Sequence, residues 1–290
     1  MGEGRIPFRG YETWYREEGE TQPGKLPVLL LHGGPGATSD YLEPLLDLGG
    51  TGRRTVTYDQ IGAGRSKVPP GSLEWTVDLF VDEVGAVRDA LGLERIHLFG
   101  HSWGGMLAMA YALTQPSGLA SLVVGHSPAS IPQWVEETGR LRADLPEDVQ
   151  ETLTRHETAG TVHDPEYEEA CMVFYRRHVC RADEWPDYVV RSFAEIGEVY
   201  NTMNGPSEFH VVGTIKDWSI VDRLGEIRVP TLVVTGEHDE ATPAINATVT
   251  SGISGARSVI LPGRSHIAHA EDPDAYVALL DEFFSSVEAG

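Results

Sequence analysis

The sequence predicts an α/β fold with a mostly parallel central sheet flanked by helices and a helical cap inserted between core strands. Three observations predict it. Short β-branched apolar runs alternate with longer stretches of helical period in the first 124 residues, as strands joined by crossover helices require. The alternation stops between about Ser127 and Thr214, where Glu, Arg and aromatic residues accumulate without a strand signal. It resumes at Thr231 and continues to the end of the chain.

Taken in order, Val28-Leu29-Leu30-Leu31 reads as a buried strand running into His32-Gly33-Gly34-Pro35-Gly36. Arg54 to Tyr58 is a second strand, ending in Asp59-Gln60-Ile61-Gly62. Between about Leu73 and Leu91, Val77, Phe80, Val81, Val84, Val87 and Leu91 form one helical stripe. Ile96 to Phe99 and Leu119 to Val124 are further strands, separated by a helix of small residues from Met106 to Leu113. In the insertion, Pro146, Pro165 and Pro186 each sit where a helix can begin, with Asp164 as the cap before Pro165. Four or five helices are expected there. Strands return at Thr231–Thr235 and Ser258–Leu261, and an amphipathic helix from about Pro273 to Val287 closes the chain. The division is therefore a core of residues 1–127 and 215–290, with a helical cap over 128–214.

Composition narrows the function. Asp and Glu number 44 against 22 Lys and Arg, a net charge of −22. That field repels phosphate backbones and excludes ordinary nucleic-acid binding. No run approaches the roughly 20 apolar residues of a membrane span. The amino-terminal residues lack the basic start and apolar segment of a signal peptide. The two cysteines, Cys171 and Cys180, would lie about half a turn apart on a common helix, a poor geometry for a disulfide. Both read as reduced and buried, in a cytoplasmic protein.

Gly100-His101-Ser102-Trp103-Gly104 carries the chemistry. The pattern G-x-S-x-G, between a strand and a helix, marks a sharp turn that exposes a serine hydroxyl. The small residues two before and two after keep the turn free of clashes. The N–H of Trp103 then points toward an oxyanion forming at the serine. Gly125-His126-Ser127-Pro128 also follows a strand, but it lacks the second glycine and Pro128 offers no N–H. Ser127 is the poorer nucleophile.

A second oxyanion donor is expected from His32-Gly33-Gly34-Pro35-Gly36 at the same sheet edge, with Gly34 the candidate. No Gly-Lys-Ser/Thr follows, which disfavours a phosphate loop. A hydroxyl nucleophile also needs a base and an orienting acid, which follow in the order Ser, acid, His after late strands. Gly236-Glu237-His238-Asp239-Glu240 offers Asp239, with Glu237 and Glu240 as competitors. Pro262-Gly263-Arg264-Ser265-His266 offers His266, with His269 as rival. His266 stands nearer the strand end and is preferred. No thiolate pair or HExxH cluster points to a metal, and no cofactor is expected.

These motifs, with Met203-Asn204-Gly205-Pro206-Ser207-Glu208-Phe209, resemble the proline iminopeptidase family of serine aminopeptidases, within the α/β-hydrolase superfamily. The resemblance extends from Tyr11 to Phe284. It implies a triad of Ser102, Asp239 and His266 and an oxyanion hole of Gly34 and Trp103. It further implies that Glu208 and Glu240 hold the free amino group of short peptides or amino-acid amides. Two carboxylates in a partly dry pocket suit an ammonium with three donors. The competing expectation is an esterase or lactonase with the same triad and no ammonium grip. The preferred first residue, proline or another small apolar one, and the oligomeric state are not given by the sequence.

Overall fold

Burial decides which segments become strands. In the computed structural model, which describes residues 2–290, eight strands form one sheet: β1 (Gly2–Phe8), β2 (Tyr11–Glu18), β3 (Val28–Leu31), β4 (Thr55–Tyr58), β5 (Ile96–His101), β6 (Leu119–Gly125), β7 (Thr231–Gly236) and β8 (Arg257–Leu261). Every residue of β3, β4, β5 and β7 is buried. Such strands read as continuous apolar runs because helices cover both faces.

The spatial order is β1-β2-β4-β3-β5-β6-β7-β8. From β4 through β8 all neighbours are parallel, whereas β1 and β2 form an antiparallel hairpin laid against β4. This hairpin precedes Val28, where the strands expected from the sequence begin. β1 alternates exposed and buried positions and carries Glu3 and Arg5 on its outer face, so it has no apolar run to detect. Its turn is Arg9-Gly10, both with positive φ (51° and 84°), the conformation that matches the twist of paired strands.

The helices are α1 (Val77–Ala90), α2 (Trp103–Leu113), α3 (Ile131–Ala143), α4 (Glu147–Ala159), α5 (Pro165–His178), α6 (Asp187–Ala194), α7 (Glu198–Met203), α8 (Pro243–Gly252), α9 (Ala268–Glu271) and α10 (Pro273–Glu288). Thr76 caps α1 by accepting from the N–H of Leu79, and Phe80, Val84 and Val87 are its buried stripe. α2 is buried nearly all round, so it starts at Trp103 directly after the serine, three residues earlier than the apolar pattern alone indicated. Five helices, α3 to α7, stand between β6 and β7. α4, α5 and α6 begin at or just after Pro146, Pro165 and Pro186, and Asp164 caps α5 through the N–H of Glu166.

Because the central strands run parallel, their carboxyl ends share one edge, where open α/β sheets gather their sites. The segments that leave that edge are His32–Gly36, Ser102, His126, Glu237–Glu240 and the loop to His266. Among the described residues no helix is long and apolar enough to cross a membrane. Cys171 lies on α5 and Cys180 just beyond its end; both are free and buried.

Candidate active site

The elbow after β5 is built by close backbone approach. A side chain at Gly100 would place its Cβ 2.0 Å from the carbonyl oxygen of Gly104, and one at Gly104 would sit 2.2 Å from that of Leu31. Only glycine fits at either position. Ser102 is held at φ 55° and ψ −126°, a region that non-glycine residues adopt at a cost and that clusters at functional sites. Its N–H donates to the carbonyl of Gly125 at 2.9 Å, which fixes the bend against β6. Trp103 opens α2, so its N–H has no carbonyl one turn back to bind. The indole of Trp103 donates to Gln60 Oε1 at 2.9 Å.

The His32–Gly36 loop reaches the same point. A Cβ on Gly33 would stand 3.0 Å from that of Ser102, so the two backbones are in contact. The N–H of Gly33 donates to the hydroxyl of Tyr41 at 2.6 Å. That hydroxyl bonds Nδ1 of His101 at 2.8 Å, and Nε2 of His101 bonds the backbone oxygen of His266 at 2.9 Å. With a neutral ring, Nε2–H of His101 donates and Nδ1 accepts. Burial, then the neighbouring imidazoles His266, His269 and His126, hold its pKa well below the usual histidine value. The chain Gly33–Tyr41–His101–His266 thus ties the glycine loop to the far end of the sequence. Gly34 itself adopts φ 116° and precedes a cis Pro35. A Cβ there would lie 2.6 Å from the N of Ala37.

Asp239 follows β7 and is 1% exposed. Oδ1 accepts from Nδ1 of His266 at 2.8 Å and from the N–H of Ala241 at 2.7 Å. Oδ2 accepts from Thr235 Oγ1 at 2.8 Å, from the N–H of Gly236 at 3.2 Å and from Nδ1 of His126 at 2.5 Å. Burial pushes this carboxyl up, but the imidazoles of His266 and His126 and their hydrogen bonds reverse that and hold it below the ordinary carboxylate range. The competitors stand elsewhere: Glu237 accepts from the N–H of Gly263 at an exposed turn, and Glu240 faces the cavity.

His266 is fixed at its backbone by donation to His178 O at 3.0 Å. With Nδ1–H committed to Asp239, Nε2 is left bare and faces the cavity, 3.6 Å from Glu240 Oε1. His269 is fully buried and its Nε2 is engaged by the carbonyl of Tyr41 at 3.0 Å. It lines no cavity with Ser102. Ser127, the serine after β6, is buried against Gly105.

Two lobes of one cavity meet at the serine. The first is lined by Val179, Phe193, Ile196 and Ile267 together with Ser102, His266, Glu208 and Glu240. The second is lined by Trp103, Met106, Ile131, Trp134 and Ile215. Gly34, Ser102 and Glu208 border both. Glu240 is fully buried, and among the described residues neither carboxylate oxygen has a hydrogen-bond partner. Glu208 accepts from Tyr200 OH at 2.7 Å. Burial raises the pKa of both, and at Glu240 the charges of Glu208 and Asp239 raise it further.

Sequence reasoning passed over His126, Tyr41 and His101 as site components. His126 follows β6, which lies between β5 and β7; only the strand order places it beside Asp239. One ring nitrogen each of His126 and His266 and a carboxylate oxygen of Asp239 lie within 4.8 Å of one another, close enough to share a metal ion. Each imidazole already occupies its own oxygen of Asp239, so the group is closed by hydrogen bonds. A second such group joins the buried His156 to the exposed Asp164 and Glu166.

Known proteins share this architecture. Residues 27–273 match the family model described as alpha/beta hydrolase fold. The chain is 39% identical over 280 residues to a proline iminopeptidase of Saccharolobus solfataricus, covering 96% of this chain and 89% of that one. It superposes on the crystal structure of proline iminopeptidase from Mycobacterium smegmatis with a TM-score of 0.92 at 44% identity, covering 99% of each chain. The crystal structure of VinJ matches with a TM-score of 0.95 at 46% identity, again over 99% of each.

Proposed function

The chain belongs to the proline iminopeptidase family of α/β hydrolases, and from that premise we propose that it is a serine aminopeptidase. It releases an N-terminal proline or another small apolar residue from short peptides or amino-acid amides. The observation that carries this reading is the pair of carboxylates, Glu208 and Glu240, bordering the lobe that also holds Ser102 and His266. Glu240 is buried with no hydrogen-bond donor among the described residues, which makes its charge costly, and a substrate ammonium repays that cost. An esterase acting on amine-free acyl groups would have no use for two acids beside its nucleophile.

In this reading Ser102 Oγ attacks the carbonyl carbon of the first residue as Nε2 of His266 takes its proton. Asp239 fixes the imidazole with Nδ1 protonated and stabilises the imidazolium. The tetrahedral oxyanion is received by the N–H groups of Gly34 and Trp103. Gly33 is excluded from that task because its N–H is committed to Tyr41. His266 then passes its proton to the leaving amine, the C–N bond breaks, and an acyl-serine remains. Water, deprotonated by His266, attacks the acyl-serine; the free amino acid leaves and Ser102 regains its proton.

Glu208 and Glu240 anchor the α-ammonium and so count residues from the N-terminus. Residues 128–214 act as a cap that brings Glu208 over the sheet edge. We place the activity in the cytoplasm on the two free, buried cysteines. The test compares L-prolyl p-nitroanilide with its N-acetylated form. Turnover of the free amine alone is expected; equal turnover of both would replace this reading with an amine-indifferent hydrolase.

A further inference from the structure

Asp239 is gripped by two imidazoles, and the proposed mechanism employs one of them. His126 donates through Nδ1 to Oδ2 at 2.5 Å, on the opposite oxygen from His266. The ring is fully buried. It lies against Tyr276 with centroids 5.8 Å apart and planes at 24°, and edge-on to His266 at 5.8 Å. Its backbone adopts φ 54°, and its N–H donates to Val234 O at 2.7 Å on β7, the strand that delivers Asp239. A positive φ at a bulky side chain costs free energy and persists only where the surroundings impose it. Here the strain aims an imidazole at one carboxylate oxygen.

We propose that His126 is a positioning residue for the hydrolysis: it pins Oδ2 of Asp239 so that Oδ1 meets Nδ1 of His266 and the base keeps its reactive nitrogen toward Ser102. The proposal rests on the triad of Ser102, Asp239 and His266. Nε2 of His126 is buried and has no partner among the described residues, which fits a neutral ring with its single proton on Nδ1. A neutral donor steadies the carboxylate without placing a cation that would compete with the imidazolium of His266. It also draws off part of the carboxylate's charge, which tempers the basicity of His266. The other titratable groups packed around this assembly are His101 from β5, His178 from α5, His269 from α9, Tyr276 from α10, Tyr41 from the segment after β3, and Glu208 and Glu240 in the cavity.

The test uses His126→Phe, which keeps a planar ring and removes the donor, and His126→Asn, which keeps an N–H donor and tolerates positive φ. Steady-state kinetics on L-prolyl p-nitroanilide give kcat and KM. The pH dependence of inactivation by a fluorophosphonate reports the Ser102–His266 pair without engaging the amine site. For His126→Phe we expect kcat to fall at least tenfold, KM to change less than about twofold, and the acidic limb of the inactivation profile to move to higher pH. His126→Asn should recover most of kcat and return the limb toward wild type. If the Phe chain does not fold, His126→Ala takes its place under the same criteria. Wild-type kcat without the donor, equal losses in the Asn and donor-free chains, or a loss carried by KM would each overturn the proposal. A wild-type chain that labels with fluorophosphonate but ignores the free amine would instead remove the aminopeptidase reading. The inactivation profiles would still judge His126.

Discussion

Oε1 of Glu240 lies 3.6 Å from Nε2 of His266, and the carboxylate has no hydrogen-bond donor among the described residues. Burial, then Glu208 and Asp239, hold its pKa far above that of an exposed glutamate. Before substrate binds, the acid therefore keeps its proton at pH values where surface glutamates have lost theirs. An ammonium substrate needs the ionised form. KM should fall as pH rises, until the substrate's own amine deprotonates near pH 8. Glu240→Gln should raise KM for L-prolyl p-nitroanilide by about ten- to a hundredfold, the worth of a charge-assisted hydrogen bond at roughly 1.5–3 kcal/mol, and flatten this pH dependence. Reaction with a fluorophosphonate should change little. A steep loss of labelling would assign Glu240 to the triad's support instead of the amine.

The two late histidines give a sharper separation. His266 faces the cavity and Asp239, whereas His269 is fully buried and burial pushes its pKa down to about 3. His266→Ala should lower kcat by about a thousandfold or more, as removal of a triad base does. His269→Gln, which can still donate to the carbonyl of Tyr41, should stay within a few-fold of wild type. Comparable losses in both would mean that the base had been misassigned.

Legibility of this chain depended on where a residue's reason lies. The elbow glycines could be read because their constraint is local: Gly100 and Gly104 face backbone oxygens within a few residues or on the adjacent strand. The buried strands were equally plain, since burial on both faces leaves only apolar residues, as in Val28–Leu31. The β1–β2 hairpin was not, because half of β1 faces solvent and its hydrophobic signal is halved. His126 was hidden for a different reason. It lies 113 positions from Asp239 and meets it only because β6 and β7 are neighbours in the sheet, and no spacing rule carries that adjacency. Gly33's commitment to Tyr41 likewise appears only when the loop closes on itself.

The elbow's dependence on glycine is a stability prediction as well as a catalytic one. A methyl at Gly100 would stand 2.0 Å from Gly104 O, and that oxygen belongs to α2's backbone, which cannot swing aside like a side chain. Gly100→Ala should cost about 3 kcal/mol or more, the upper range for overpacking a tight interior, and should abolish fluorophosphonate labelling in whatever fraction folds. Equilibrium urea unfolding measures the first and gel fluorescence the second. A loss under about 1 kcal/mol would show that the turn can yield.

Glu83 sets the pH at which the fold itself weakens. Its fully buried carboxylate accepts from Thr13 Oγ1 at 2.5 Å and from the N–H of Ile61 at 2.9 and 3.1 Å, tying β2 to α1 and to the loop after β4. Burial raises its pKa to about 8, outweighing those hydrogen bonds. An unfolded glutamate titrates near 4.3, so the unfolded chain loses this proton first. The stabilisation from holding the proton is complete below pH about 4.3 and is lost as pH rises through about 8. Glu83→Gln keeps an acceptor for Thr13 and Ile61 but carries no charge to bury. Its melting temperature should therefore decline less than that of wild type between pH 5 and 8, the gap widening toward the upper end. Parallel thermal melts across that range decide the matter; a gap that stays constant would show that Glu83 is already ionised in the folded chain.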